Sequence, residues 1–407
     1  TTGPLTALTG QVFSAQRLRQ SELNLRGKAE LGRPWDVHAE RMVGCVDCHP
    51  AANNPATFRE VSGTRPGHLR GDARAPSLKA FLQRPDHRLQ KGSSAQFATS
   101  DALDGGQRGC QDCHEPGGSH PWLPYADRHF QQLQCEACHV PAMHAPARES
   151  TDWTVLTTTG EPRVVWRGLT GAPSDAHRII EPTRPVLLPR TDADGQTRLG
   201  PHNLHTTWLW TKAAGTGRAP VTRTELEAAW LDHGTHPPAL VKALDRDGDG
   251  ALAEAELVLD TPARVATVAT RLRGAGVVDP RIEGQIQPVG LHHGVGTRGT
   301  AVKDCLACHG PESRLSAPMI LAGVAPADVT PKWRADSRTA PMGQVVRDGG
   351  GWVLRPDATE AGVYAMGHHR LGLAEAFGLL ALLGVVLGVS VHGGLRVRLA
   401  LKRRKQA

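Results

Sequence analysis

All eight cysteines of the chain lie in four copies of one pattern, Cys-x-x-Cys-His: Cys45–Cys48–His49, Cys110–Cys113–His114, Cys135–Cys138–His139 and Cys305–Cys308–His309. Two thiols at this spacing can add across the two vinyl groups of a haem, and the histidine that follows then lies under the ring as an iron ligand. Half of a zinc site, or a redox dithiol, would use the same cysteine pair. Zinc ribbons do not require a histidine at the fifth position, however, and a thioredoxin-like dithiol occurs once, beside a βαβ pattern. Four pairs out of four followed at once by histidine point to four covalently bound haem c groups, with His49, His114, His139 and His309 as proximal iron ligands. Haem is attached to such motifs outside the cytoplasm, so this part of the chain is expected in the periplasm or another extracytoplasmic space. The sequence starts at Thr1, and an export leader is expected to have been cleaved or to precede it.

Each iron has a second axial position. Of twenty histidines, sixteen lie outside the motifs, enough to supply every iron with a second imidazole. His38 stands seven residues before Cys45 and His129 six before Cys135, both in polar, helix-compatible stretches that lead into a motif. His144 follows His139 by five residues, His87 lies in RPDHRLQKG, and His292 and His293 lie in GLHHGVG before the last motif. These six are the candidate distal ligands, and a solvated or hydrogen-bonded surface histidine is the competing reading for each. Met319, ten residues past His309, offers a His/Met alternative that would raise the potential of the fourth haem. His233 and His236 read as loop histidines.

A second constellation is oxygen-rich. DRDGDGALAEAE, Asp245 to Glu256, fits the twelve-residue EF-hand loop position by position. Asp245, Asp247 and Asp249 fill positions 1, 3 and 5, Gly250 makes the turn at 6, Ala251 offers its carbonyl at 7, and Glu256 is the bidentate ligand at 12. Hard oxygen donors in this number suit one Ca²⁺, with an acidic turn of chance spacing as the alternative. A structural role is expected for the ion.

The elements that must hold these groups are short. Gly (45) and Pro (30) are abundant and aromatics make up only 4%, so long regular elements should be few and the haems themselves should fill part of the interior. The fold expected is a mostly α and irregular multihaem cytochrome c fold, with a few short strands, an EF-hand-like insert and one C-terminal transmembrane helix. It divides into a three-haem domain (1–150), a haem-free linking region with short strands (151–222), an EF-hand-like calcium segment (223–262), a fourth-haem region and linker (263–370), a transmembrane helix (371–396) and a basic cytoplasmic tail (397–407). DWTVLTTTG and PRVVWRGL read as strands. Trp208 and Trp210 in HNLHTTWLW read as packing residues in preference to haem-stacking ones. TELEAAWLD has capping-box spacing from Thr224 to Glu227, PPALVKAL reads as a second short helix, and residues 315–360 as a wrap or linker.

Ala376 to Leu395 is a run of 20 residues without a formal charge. At 1.5 Å per residue such a helix spans about 30 Å, the hydrocarbon thickness of a bilayer. Arg396, Arg398, Lys402, Arg403, Arg404 and Lys405 follow and account for six of the net seven positive charges. The positive-inside rule puts this tail in the cytoplasm and the motifs outside, as a single-pass protein of the inner membrane. Without the tail little net charge remains, which argues against a nucleic-acid surface. Gly384 and Gly388 form a small-xxx-small stripe for a helix partner in the membrane. His368 and His369 would sit where the helix leaves the bilayer, and His392 near its inner edge.

The stretches HAERMVGCVDCHPAANNP, RPDHRLQKG and QCEACHVPAMHAPARESTDWTVL resemble a group of bacterial multihaem cytochromes related to octahaem tetrathionate reductase and hydroxylamine oxidoreductase. The resemblance covers about residues 35–160 and 285–315, and the chain carries four motifs where that group carries eight. It implies His38, His87, His129 and His144 as distal ligands and a membrane cytochrome b as partner. The function expected is electron transfer between a quinol-linked membrane partner and a soluble periplasmic redox protein, as a subunit of an oxidoreductase complex more than as an independent enzyme. The alternative is a multihaem reductase of a small sulfur or nitrogen oxyanion. That chemistry needs an open iron, and the chain has no Cys-x-x-Cys-Lys motif. A third reading is a calcium-stabilised docking subunit whose haems mainly scaffold.

Overall fold

A computed structural model describes residues 9–48, 108–171, 177–192, 194–310, 312–334, 338–360 and 372–405. Among the expected site residues, His49 and His87 lie outside these ranges, as do His368 and His369.

Twelve strands are described: β1 (Ala147–Asp152), β2 (Arg163–Arg167), β3 (Leu169–Thr170), β4 (Ile179–Ile180), β5 (Val186–Thr191), β6 (Thr197–Ala214), β7 (Gly217–Pro220), β8 (Arg281–Gly290), β9 (Met319–Ala322), β10 (Lys332–Trp333), β11 (Gln344–Asp348) and β12 (Gly351–Arg355). Seven of them form one sheet around the 18-residue β6. One edge of β6 pairs with β8 from His202 to Thr211. The other edge is shared in turn by β5, by a parallel segment of β1 and by β7. β2 continues the sheet beyond β1, and β10 beyond β8. β6 is buried without a break from Leu199 to Thr211, because both of its faces are covered. Residues 151–222 thus supply the central strand of the largest sheet, more than the short strands that local sequence suggests. Trp208 and Trp210 are buried in it, and Trp210 donates its indole N–H to the Thr154 carbonyl at 3.0 Å.

Three helices pack together at one end of β6. They are Arg223–Trp230, Pro238–Leu244 and Pro262–Gly274. Their Leu226, Ala229, Trp230, Leu240, Leu244, Val268 and Leu272 bury against Trp153, Val155, Leu209 and Trp210. The first helix starts two residues earlier than the Thr224–Glu227 spacing suggests. Thr222 is the N-cap, accepting from the Glu225 N–H while the Glu225 carboxylate accepts from the Thr222 N–H at 2.8 Å. Both threonines have capping-box spacing, and the earlier start is accompanied by burial of Leu226, Ala229 and Trp230.

β9, β11 and β12 form a separate three-stranded sheet inside the stretch that reads as a linker. Its hairpin turns on Gly349 and Gly350, both at positive φ (+57° and +92°), a conformation that L side chains resist. The helix Gly372–Arg404 is exposed along its described length. Among the described residues it is the one helix long and apolar enough to cross a membrane.

Candidate metal centres

The second, third and fourth motifs each fold as a single helical turn. His114 N donates to the Cys110 carbonyl at 2.9 Å, His139 N to Cys135 at 3.1 Å, and His309 N to Cys305 at 2.8 Å. The turn brings each histidine's main chain back to the first cysteine of its own motif. The third motif's turn is tied to β6 and to the segments around Gly296, Val302 and Arg314. Gln134 N donates to the Leu199 carbonyl of β6 at 3.0 Å, Val302 N to Cys138 at 3.0 Å and Gly296 N to His139 at 2.7 Å. The Arg314 guanidinium donates to the Ala137 carbonyl at 2.6 Å.

All three described motif histidines face a second histidine. The ring centroids of His38 and His114 are 6.0 Å apart, those of His120 and His139 6.1 Å, and those of His129 and His309 6.2 Å. Two metal–imidazole bonds of about 2 Å, added to the half-widths of two five-membered rings, make about 6 Å between centroids. Each pair can therefore hold one metal ion on the line between its rings. A zinc site would call on the cysteine sulfurs as ligands, whereas these imidazoles are paired with each other and leave the thiols to another role. The donor set fits a haem iron held by two histidines beside two thioether links.

The second histidine of each pair is oriented from behind. His120 Nδ1 lies 2.9 Å from the Pro116 carbonyl and His129 Nδ1 3.2 Å from the Tyr125 carbonyl, in both cases four residues back. His38 Nδ1 lies 3.3 Å from the Asp36 carboxylate. An oxygen at Nδ1 makes that nitrogen the proton donor and leaves the Nε2 lone pair for a metal. The Asp36 hydrogen bond raises the basicity of His38, against burial, which lowers it. Burial would raise the pKa of Asp36 itself, but its hydrogen bonds with His38 and Val295 hold the carboxyl below the usual range.

The pairs interlace the motifs. His38 precedes the first motif and faces the histidine of the second. His120 follows the second and faces the third, and His129 precedes the third and faces the fourth. The cysteines adjoin in the same order. The Cys48 thiol is pushed up by burial and then by the nearby Cys113. Cys110 is raised first by a hydrogen bond with Cys135. Cys138 is pushed up to about 11 by burial and then by Cys308.

Of the six expected distal histidines, His38 and His129 thus face motif histidines. His292 instead meets the Glu136 carboxylate at 3.0 Å, and the His293 ring packs edge-on against Phe13 at 5.7 Å. His144 lines a small cavity with Arg33, Trp35, Met143 and His293. Its Nδ1 is buried without a partner, and burial, with Arg33 nearby, holds its pKa down at about 3. Met319 is buried in the apolar cluster with Leu321 and Leu354. His120 was not among the expected ligands. It follows a Pro-Gly-Gly-Ser stretch with no helical periodicity, although the turn Pro116–Ser119 positions it.

In the acidic loop, Asp245, Asp247 and Asp249 each bring a carboxylate oxygen within 4.8 Å of the others. Asp245 accepts from Gly248 N and Gly250 N, and Asp249 from Ala251 N at 2.8 Å. Glu256 does not join that set. Its carboxylate folds back onto Arg246 N at 2.6 Å and Ala253 N at 3.0 Å.

No protein-family model matches the chain, and no curated protein matches it. Among solved structures, the octahaem cytochrome c from Shewanella oneidensis is similar at 14% identity and a TM-score of 0.29, over 57% of this chain. The chain spans 55% of the length of that structure.

Proposed function

We propose that this chain is a membrane-anchored tetrahaem cytochrome c that carries electrons between a quinol-linked membrane partner, of the cytochrome b kind, and a soluble redox protein outside the cytoplasm. The observation that carries the reading is the pairing of His38 with His114, His120 with His139 and His129 with His309, each at a ring separation that one metal ion can bridge. Bound haem would supply a one-electron couple at each site. The chain's part is to hold its histidines and cysteines so that neighbouring sites adjoin and the irons keep their ligands in both oxidation states. Motifs that interlace in sequence order suit transfer from one site to the next.

The competing reading, reduction of a sulfur or nitrogen oxyanion, needs an iron with an open position, and the second histidine beside each of His114, His139 and His309 argues against one at those motifs. The apolar helix with its basic end supports the anchor, and the grouped carboxylates of Asp245, Asp247 and Asp249 support one structural Ca²⁺.

Pyridine haemochrome analysis of the purified protein should give four haems per chain, and the oxidised protein should be entirely low-spin. A persistent high-spin fraction would favour the reductase, and fewer than four haems would end the tetrahaem reading. Deleting residues 376–395 should release a haem-loaded protein from the membrane fraction. Quinol analogues should then reduce it only when the membrane partner is present.

A further inference from the structure

The three proposed distal histidines are held from behind by different chemistry. His120 and His129 give their Nδ1 protons to neutral main-chain carbonyls, of Pro116 and Tyr125. His38 faces a carboxylate, Asp36, at 3.3 Å. Asp36 is 1% exposed and its place is over-determined. Its Oδ1 accepts from the His38 main-chain N–H at 2.8 Å, and its Oδ2 accepts from Gly294 N at 2.8 Å and Val295 N at 3.0 Å. Val37 N donates to the Val295 carbonyl at 3.0 Å, so the two segments are also sewn together beside it. Arg33 and Arg41 bring positive charge nearby, but the carboxylate is the group at the ring nitrogen.

Resting on the bis-histidine reading above, we propose that Asp36 is a positioning residue that makes the second-motif haem, the one between His38 and His114, the lowest-potential site of the second, third and fourth. A carboxylate on Nδ1–H gives the imidazole imidazolate character, would strengthen its hold on a bound haem iron, and adds a negative charge beside the site. Each of these favours the ferric over the ferrous form. No proton need move: the site takes up one electron and Fe(III) becomes Fe(II), with the Nδ1 proton staying between His38 and Asp36. The neutral carbonyls at His120 and His129 do this less. Potential then rises from the second motif toward the third and fourth, and electrons that arrive at the second site are passed on toward His309.

The test is an EPR-monitored redox titration of the full-length, haem-loaded protein, with Asp36→Asn as the main variant. Asparagine keeps an oxygen for the His38 ring and removes the charge. Loss of an outer-shell partner is worth on the order of tenfold, which is about 59 mV upward for a one-electron couple. That shift is expected at the second-motif signal alone, with four haems retained and all centres low-spin. An unmoved potential at intact haem content, or an equal shift at every site, would overturn the proposal and leave the bis-histidine reading standing. Wild-type protein with fewer than four haems or without bis-histidine signals would instead remove the reading beneath it. Asparagine also aims an N–H₂ at Gly294 N or Val295 N and can cost folding. His38→Met therefore serves as a second arm, because it marks the second-motif signal by converting it to a His/Met spectrum. The wild-type signal so identified should be the last of the three to be reduced, and any other order overturns the proposal.

Discussion

His129 and His309 stand with ring centroids 6.2 Å apart and planes at 86°, although one precedes the third motif and the other ends the fourth. Under the haem reading each belongs to the same iron. His129→Ala should leave four covalent haems but open one axial position, turning one low-spin centre in four high-spin. The Nδ1 tether to the Tyr125 carbonyl holds the native ring in place, so exogenous imidazole should restore the low-spin spectrum. An unchanged spectrum would show that His309 has another partner.

The angles within the pairs differ, and iron is sensitive to them. His120 and His139 also cross at 86°, whereas His38 and His114 are at 53°. Ligand planes at right angles leave the two iron π-type d orbitals nearly degenerate, which spreads the g values of low-spin Fe(III). The third and fourth sites should therefore give strongly anisotropic EPR signals and the second a more compact rhombic one. His120→Met should abolish one of the anisotropic signals and leave the rhombic signal untouched.

The parts that could be read from sequence are those set by short-range spacing. The motif turns are carried by i to i−4 bonds within five residues, and the Thr222–Glu225 cap by a three-residue spacing, ambiguous only because Thr224 repeats it. The pairings were not legible. His38 meets His114 through a segment pinned by Asp36 to Gly294 and Val295, a contact with no local signal. β6 hides for the opposite reason: burial on both faces removes the alternation by which a strand is recognised. The hairpin of β11 and β12 sits in a Gly- and Asp-bearing stretch that resembles a linker until the positive φ values of Gly349 and Gly350 make it a turn.

Asp152 carries a pH signature. Burial pushes its carboxyl up from 3.8 to about 6, while hydrogen bonds from Thr154 and the charge of Arg163 oppose the rise. For an acid raised in this way, folding favours the protonated form. Its contribution to stability is present below 3.8 and is lost as pH climbs through about 6. At 1.36 kcal/mol for each tenfold change in proton affinity this amounts to about 3 kcal/mol. Asp152→Asn retains an oxygen for the Thr154 N–H, which now donates at 2.8 Å. Denaturant titrations of both proteins between pH 4 and 7 should show the wild type losing that much relative to the variant, and parallel curves would refute the assignment.

Trp210 and Trp230 offer a paired test of hydrogen bonding in the same core. Both are buried to 1% exposure or less. Trp210 donates to the Thr154 carbonyl at 3.0 Å, whereas the Trp230 N–H has no partner. Each change to Phe leaves similar empty space, but only Trp210→Phe strands an acceptor, while Trp230→Phe removes an unsatisfied donor. The Trp210 variant should be the less stable of the two by about 1–2 kcal/mol in chemical denaturation.

The acidic loop couples an ion to that same core. Leu240 and Leu244 precede it and Leu257 and Leu259 follow it, and all four are buried together. Carboxylates of Asp245, Asp247 and Asp249 within 4.8 Å of one another repel when no cation is between them, so ordering the loop without an ion works against the packing on both sides. A cation bound only by the folded form adds about 2.7 kcal/mol at one hundred times its dissociation constant. Millimolar Ca²⁺ should therefore raise the melting temperature of the wild type relative to a chelator. Asp245→Ala should melt at one temperature in both media. Haem content and potentials should not move with the ion, because the loop packs with the helix cluster and not with the motif turns. A melting shift that survives in Asp245→Ala would place the calcium effect elsewhere on the chain.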